Sequence, residues 1–131
     1  MFSVQIWSAA RTGVLTLRGE LDYDSAVQLQ EAADQVLADA RRSVLVVDCS
    51  ALEFCDSSGI GCLVRVYQRL SARGGVLRLA AVPVSVARVF ALTGLDTAIP
   101  VHATLHEAMG AGGTVPAPGG EDGPSPLRSV S

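Results

Sequence analysis

The chain contains no lysine, and all ten of its basic residues are arginine. This removes the P-loop lysine, the Schiff-base lysine and the kinase lysine as catalytic groups. There is no excess of positive charge either. A formal net charge of -3 and a pI near 5.2 give no general attraction for nucleic acid or an anionic membrane, so neither partner is expected. Cysteine is scarce and odd in number: Cys49, Cys55 and Cys62 are separated by five and six residues. That spacing allows neither a C-x-x-C zinc pair nor a full disulfide framework, and it fits a reduced, cytoplasmic setting. The two histidines, His102 and His106, fall on a strand-to-loop segment and on a helix, so they do not share a helical face as a metal pair would. No signal-peptide pattern opens the chain and no apolar run reaches membrane-spanning length, which makes a soluble intracellular protein the expectation.

At 131 residues with 49% hydrophobic side chains, the chain is long enough for one core and too short for two ordinary domains. Residues 2–8 alternate with period two, and Val14 to Arg18 do so again. With Arg11-Thr12-Gly13 as a turn, the two runs predict an antiparallel hairpin. Gly19 to Asp24 reads as a break, followed by a helical pattern in which Ala26, Leu29, Ala33, Val36, Leu37 and Ala40 share one face. Ser25 and Gln28 have capping-box spacing at its start. Asp22 and Asp24 can serve this turn or bind a partner, and loop statistics leave both readings open.

Val44 to Val47, ending in Asp48, reads as a strand buried on both faces. A second helix begins at Ser57 or Ser58, with Ile60, Leu63, Val64, Tyr67 and Leu70 inward and Arg65, Arg69 and Arg73 outward, and Gly74-Gly75 ends it. Val76 to Ala81 predicts strand four. Ser85 to Thr93 predicts a third helix that buries Val86, Val89, Phe90 and Leu92 and is closed by Gly94. Pro100 confines a short fifth strand to a sheet edge, and residues 104–109 form a closing helix. From Gly110 the composition turns to glycine and proline, so 1–109 is expected as the domain and 110–131 as a disordered tail.

The fold class that follows is α/β: a mixed sheet with an N-terminal antiparallel hairpin and then parallel βαβ units, about five strands and four helices. In such a sheet the loop carrying Glu20, Asp22 and Asp24 and the loop carrying Asp56, Ser57 and Ser58 both emerge at the carboxyl edge. Phe54 to Gly61 joins a strand to a helix there. Asp56 or Ser57 can accept the free amides of the first helical turn, Gly59 permits a tight turn, and a phosphate would meet unpaired N–H donors and a positive helix end.

Gly19-Glu20-Leu21-Asp22, the run Val44 to Asp48 and above all Cys55-Asp56-Ser57-Ser58-Gly59-Ile60-Gly61 resemble the STAS domain family, specifically the bacterial anti-sigma factor antagonists. The resemblance covers about residues 3–109 and extends to Leu92-Thr93-Gly94-Leu95-Asp96. It implies an anti-anti-sigma protein that regulates transcription in stress response or sporulation by partner switching. The unphosphorylated form would bind an anti-sigma factor serine kinase and release a sigma factor, and a serine phosphatase acting on the phosphorylated form would restore the unphosphorylated one. The family pattern places the phosphate on Ser57, with Ser58 second, and puts Asp22 and Asp56 at its border. Asp24, Gly59 and Ile60 complete the implied partner surface. Cys55 stands where Met or Leu is commoner, and the segment after Met109 has no family counterpart. Stressosome proteins, transporter regulatory domains and lipid-transport accessory proteins share the fold, so a ligand-binding or complex-subunit module without phosphorylation is the alternative.

Catalysis is not expected. A hydrolase nucleophile elbow needs G-x-S-x-G, but Cys55 stands two before Ser57 and Asp56 two before Ser58, with no histidine placed to serve. Gly59-Ile60-Gly61 starts like a dinucleotide fingerprint and fails at Val64, so no cofactor is implied.

Overall fold

The computed structural model describes residues 1–110. Five strands form one sheet in the order β1-β2-β3-β4-β5: β1 (Phe2–Ala9), β2 (Thr12–Leu21), β3 (Val44–Cys55), β4 (Val76–Ala80) and β5 (Val101–His102). β1 and β2 pair antiparallel and every later pairing is parallel, as the crossover helices require. The helices are α1 (Ala26–Leu37), α2 (Ser57–Ala72), α3 (Val84–Thr93), α4 (Leu95–Ala98) and α5 (Leu105–Gly110). The sequence predicts four of these five. α4 is a single turn directly after Gly94, which ends α3 at φ 79°, and the periodicity of four residues is too short to announce it. Of the expected tail, only Gly110 falls among the described residues, and it closes α5.

The main core lies on one face of the sheet. Leu15, Leu17, Leu45, Val47, Leu77 and Leu79 meet Leu29, Ala33 and Val36 of α1, Leu63, Val66 and Leu70 of α2, and Val86 and Phe90 of α3. The other face is covered more sparsely, by α5 through Ala108 against Val14, Val46 and Ala80. Arg78 is buried there and donates to the Ala108 carbonyl at 3.2 Å, so a charged residue in β4 anchors the last turn of the described chain.

Two strands run further than their apolar patterns. β2 continues through Gly19-Glu20-Leu21, and β3 continues from Asp48 to Cys55. Register shifts between Thr16 and Arg18 and between Gly19 and Glu20 let them stay paired while the alternation fails. Gly19 has φ +96°, and a Cβ there would lie 1.9 Å from the Met1 carbonyl oxygen, so the glycine is part of the bulged strand and does not end it. The hairpin turn is correspondingly tighter than expected, at Ala10 and Arg11, with Thr12 and Gly13 already in β2.

α2 is rotated relative to the expected face. Gly59, Cys62, Leu63, Val66 and Leu70 are buried, while Ile60, Val64 and Tyr67 are partly buried at the margin. Two of the outward arginines hold α1. Arg69 pairs with Asp34, and Arg73 donates to the carbonyls of Leu37 (2.6 Å), the last residue of α1, and of Asp39 (3.0 Å) and Arg42 (3.0 Å) in the turn that follows it. In α3, Val86 and Phe90 are buried, but Leu92 is 83% exposed, because it lies on the side of the helix turned from the sheet.

All three cysteines are free and buried. Burial pushes the Cys55 thiol up to about 12 and Cys49 higher still, in each case with a neighbouring aspartate adding to the shift. An unfolded thiol titrates at about 8.5, so the folded state holds protons that the unfolded state has lost as pH rises past that value. Stability should be unaffected by these thiols below about pH 8.5 and fall as pH rises toward 12. Urea denaturation at stepped alkaline pH checks this, and in the native protein at neutral pH a thiol reagent should modify none of the three cysteines before unfolding.

Candidate functional site

The sheet's carboxyl edge is assembled by one backbone contact. The Asp56 N–H donates to the Leu21 carbonyl at 3.1 Å, so the last residue of β2 holds the residue that opens α2. Leu21 and Cys55 are register partners, which brings the β2–α1 and β3–α2 loops side by side as the parallel arrangement requires.

Asp56 is the N-cap of α2. It sits in extended conformation, and its Oδ1 accepts the Ser58 N–H at 2.9 Å and the Gly59 N–H at 3.2 Å, while its carbonyl accepts from Ile60 at 3.0 Å. Ser57 is therefore the first residue of the helix. It is exposed, and its hydroxyl has no hydrogen-bond partner among the described residues. Ser58 and Ile60 are half-buried and Gly59 is buried. This corrects the expected anion site in one respect: the Asp56 carboxylate already takes two of the first-turn amides. A phosphate on Ser57 would stand beside a carboxylate, with the helix dipole as its main intramolecular compensation.

Gly59 is needed for approach rather than for a turn. A Cβ at this position would lie 2.7 Å from Leu21 Cγ and 2.8 Å from Cys55 Sγ, both in the core. Its buried position makes it an internal spacer that lets α2 settle onto β2 and β3, so it offers no side for a partner to touch.

The β2–α1 turn is a separate hydrogen-bonded unit. Ser25 is buried, its hydroxyl donates to the Glu20 carbonyl at 2.8 Å and accepts from the Asp22 N–H at 2.8 Å, and Asp22 Oδ1 accepts the Ser25 N–H at 3.1 Å. Ser25 occupies the N-cap position of α1, but its side chain turns back into the loop and makes no capping bond, contrary to the capping-box spacing. The Ser25 amide, followed by its hydroxyl, holds the Asp22 carboxyl below the usual aspartate range. Asp22 thus has a demonstrable role in the turn, and Asp24 beside it is exposed. A small notch here is lined by Glu20, Asp22, Asp24, Ser25 and Gln28 and takes no residue from the β3–α2 loop. The two acidic groups and Ser57 share an edge, not a pocket. Leu21 and Ser25 do most to fix this edge, and their residue types do not mark them as doing so: Leu21 acts through its carbonyl and Ser25 reads as an ordinary cap, so the fold reveals these roles.

Among the described residues no group of His, Cys, Asp and Glu could hold a metal ion. No helix among them is long and apolar enough to cross a membrane.

Replacing Asp56 by Ala should lower stability by about 1 kcal/mol, the usual loss of a side-chain N-cap. Gly59→Ala should cost more, about 1–3 kcal/mol, because the added methyl must displace Leu21 or Cys55. Denaturant titration of both variants separates the two. Asp22→Asn should weaken the turn at neutral pH, and because the carboxyl is depressed in the folded state, its contribution in the wild type should be present above about pH 4 and lost as pH falls further.

The STAS domain model matches residues 4–108. The anti-sigma-F factor antagonist RsfB of Mycobacterium tuberculosis is 34% identical over 117 residues, covering 82% of this chain and 88% of its own. The crystal structure of an anti-sigma factor antagonist from Mycobacterium paratuberculosis superposes with a TM-score of 0.74 at 31% identity, over 82% of this chain and 91% of that one. SpoIIAA, described as a Bacillus cell fate determinant, matches at 26% identity in both its forms. The TM-score is 0.64 for the unphosphorylated form, over 81% of this chain and 94% of that one. It is 0.65 for the phosphorylated form, over 81% and 96%. With the family model spanning nearly all of the described residues and the antiparallel-then-parallel sheet in place, the chain belongs to the STAS domain family, among relatives named anti-sigma factor antagonists.

Proposed function

We propose that this protein is an anti-sigma factor antagonist whose unphosphorylated form binds an anti-sigma factor serine kinase, releases a sigma factor, and is switched off by phosphorylation of Ser57. The observation that supports this most directly is the state of Ser57: an exposed hydroxyl at the first position of a 16-residue helix, with no internal hydrogen bond among the described residues. A kinase can reach it without unfolding anything. Ser58 is half-buried with its amide committed to Asp56, which makes it the poorer substrate.

Phosphorylation adds about -1.5 to -2 charges next to Asp56. The helix N-terminus offsets roughly 0.3–1 kcal/mol of the repulsion at an exposed site, so the phosphate is tolerated pointing outward. At an interface the outcome differs. A partner surface that accommodates a hydroxyl would have to desolvate a dianion against it, and a loss of even about 3 kcal/mol weakens binding more than a hundredfold. The switch then needs no change of fold. Asp22, Asp24, Asp56, Ser58 and Ile60 are accessible or half-accessible at this edge and would contribute to the partner surface around Ser57. ATP and magnesium belong to the kinase, and a serine phosphatase resets the protein in the cytoplasm.

Ser57→Ala should remain a permanent antagonist with wild-type affinity for the kinase, and Ser57→Asp should bind weakly at near-wild-type stability. Incubation with the cognate kinase and ATP should add one phosphate, and fragment mass spectrometry should place it on Ser57. A phosphate on Ser58, or wild-type binding by Ser57→Asp, would refute the assignment.

A further inference from the structure

The outer edge of the sheet is open along β1, and its open groups are complementary to themselves. The Glu20 N–H donates to the Met1 carbonyl at 3.2 Å, directly beyond the unshifted β1–β2 register that starts at Phe2 opposite Gly19. In an antiparallel ladder the hydrogen-bonded pairs alternate with non-bonded ones. Ser3, Gln5 and Trp7 therefore turn their backbone groups toward β2, while Phe2, Val4, Ile6 and Ser8 turn theirs away from it. Among the described residues nothing pairs with that second side.

Edge strands are ordinarily blunted by charge, proline, a bulge or shortness. β1 has none of these: Phe2–Ala9 is eight residues long, uncharged, free of proline and regular in register. The opposite edge is different. β5 is only Val101–His102, with Pro100 before it, so it cannot receive an eight-residue strand, and head-to-tail addition of one sheet to another is not available. The segment with a matching length and pattern is a second β1.

We propose that two copies of this chain pair β1 with β1 in antiparallel fashion, joining two five-stranded sheets into one. Parity restricts the register, because each hydrogen-bonded pair needs both members from the outward set, and full overlap of the two strands selects one alignment. With Gln5 opposite Gln5 on the twofold axis, Phe2 faces Ser8 and Val4 faces Ile6, each pair occurring twice. This alignment uses every outward residue of both strands and closes as an isologous dimer. It also places Ile6, which is 40% exposed in the single chain, against Val4 of the other copy as an apolar cross-strand pair. The axis stands perpendicular to the sheet, so the two carboxyl edges point in opposite directions and each Ser57 stays uncovered. The pairing is thus independent of the phosphorylation reading.

Sedimentation velocity on the full chain, with backbone amide exchange by NMR in dilute and concentrated solution, tests this. The mass should double with concentration, and exchange at Val4, Ile6 and Ser8 should slow about tenfold or more. The amides of Gln5 and Trp7, already bonded to β2, should not respond. Ile6→Pro removes only an outward donor, at an edge where proline is tolerated, and should give a monomer with unchanged circular dichroism. Should that variant fail to fold, the wild-type exchange pattern decides alone. A monomer at every concentration, or a dimer in which Val4, Ile6 and Ser8 still exchange rapidly, overturns the proposal.

Discussion

The close seating of α2 on the ends of β2 and β3 is the constraint from which the functional edge derives. It depends on Gly59, whose missing side chain leaves room for Leu21 and Cys55, and on the Asp56 amide bonded to the Leu21 carbonyl. Together these fix where the first helical turn begins and therefore which residue is carried to the surface. Asp56 then spends its carboxylate on the Ser58 and Gly59 amides, so the helix is capped from inside and Ser57 is left outside the cap. A chain that capped this helix with Ser57 itself would bury the hydroxyl in its own hydrogen bond.

That division of labour bears on how a phosphate could act. A helix N-terminus with free amides would draw a phosphate inward and stabilise it. Here two of those amides are occupied by a carboxylate, so the added charge is held at the surface and its main effect is on whatever docks there. The neighbouring turn has a different character. Asp22 and Ser25 bind one another, which makes that part of the edge a preformed shape rather than a loose acidic loop. The arginines of α2 add stiffness from behind, with Arg73 gathering three carbonyls at the end of α1 and in the turn that follows it.

Most of the architecture was legible in the sequence because it rests on local periodicity: the alternating β1, the apolar start of β3, the inner residues Leu29, Ala33, Val36 and Leu37 of α1 and Val86 and Phe90 of α3, and Gly94 as a left-handed cap, while Ala40 falls beyond the end of α1 and Leu92 faces out. The errors share a cause. Gly19 looked like a terminator and Asp48 like a strand end, yet both lie inside strands that continue through register shifts, where alternation is lost. The rotation of α2 by which Cys62 and Val66 become core was hidden because Ile60 and Tyr67 are equally apolar and lie one step round the helix. At the site, Asp56 and Ser57 stood out through their residue types. Leu21 acts through a backbone carbonyl and Ser25 through a buried hydroxyl that bonds backward, and neither leaves a pattern that a sequence can display.

Calorimetric titration of the cognate anti-sigma kinase with the protein carrying phosphate on Ser57, beside the unmodified protein, tests the central claim most directly. The account predicts that the modified protein keeps its fold and loses more than a hundredfold in affinity, the equivalent of about 3 kcal/mol. Equal affinity of the two forms would contradict it.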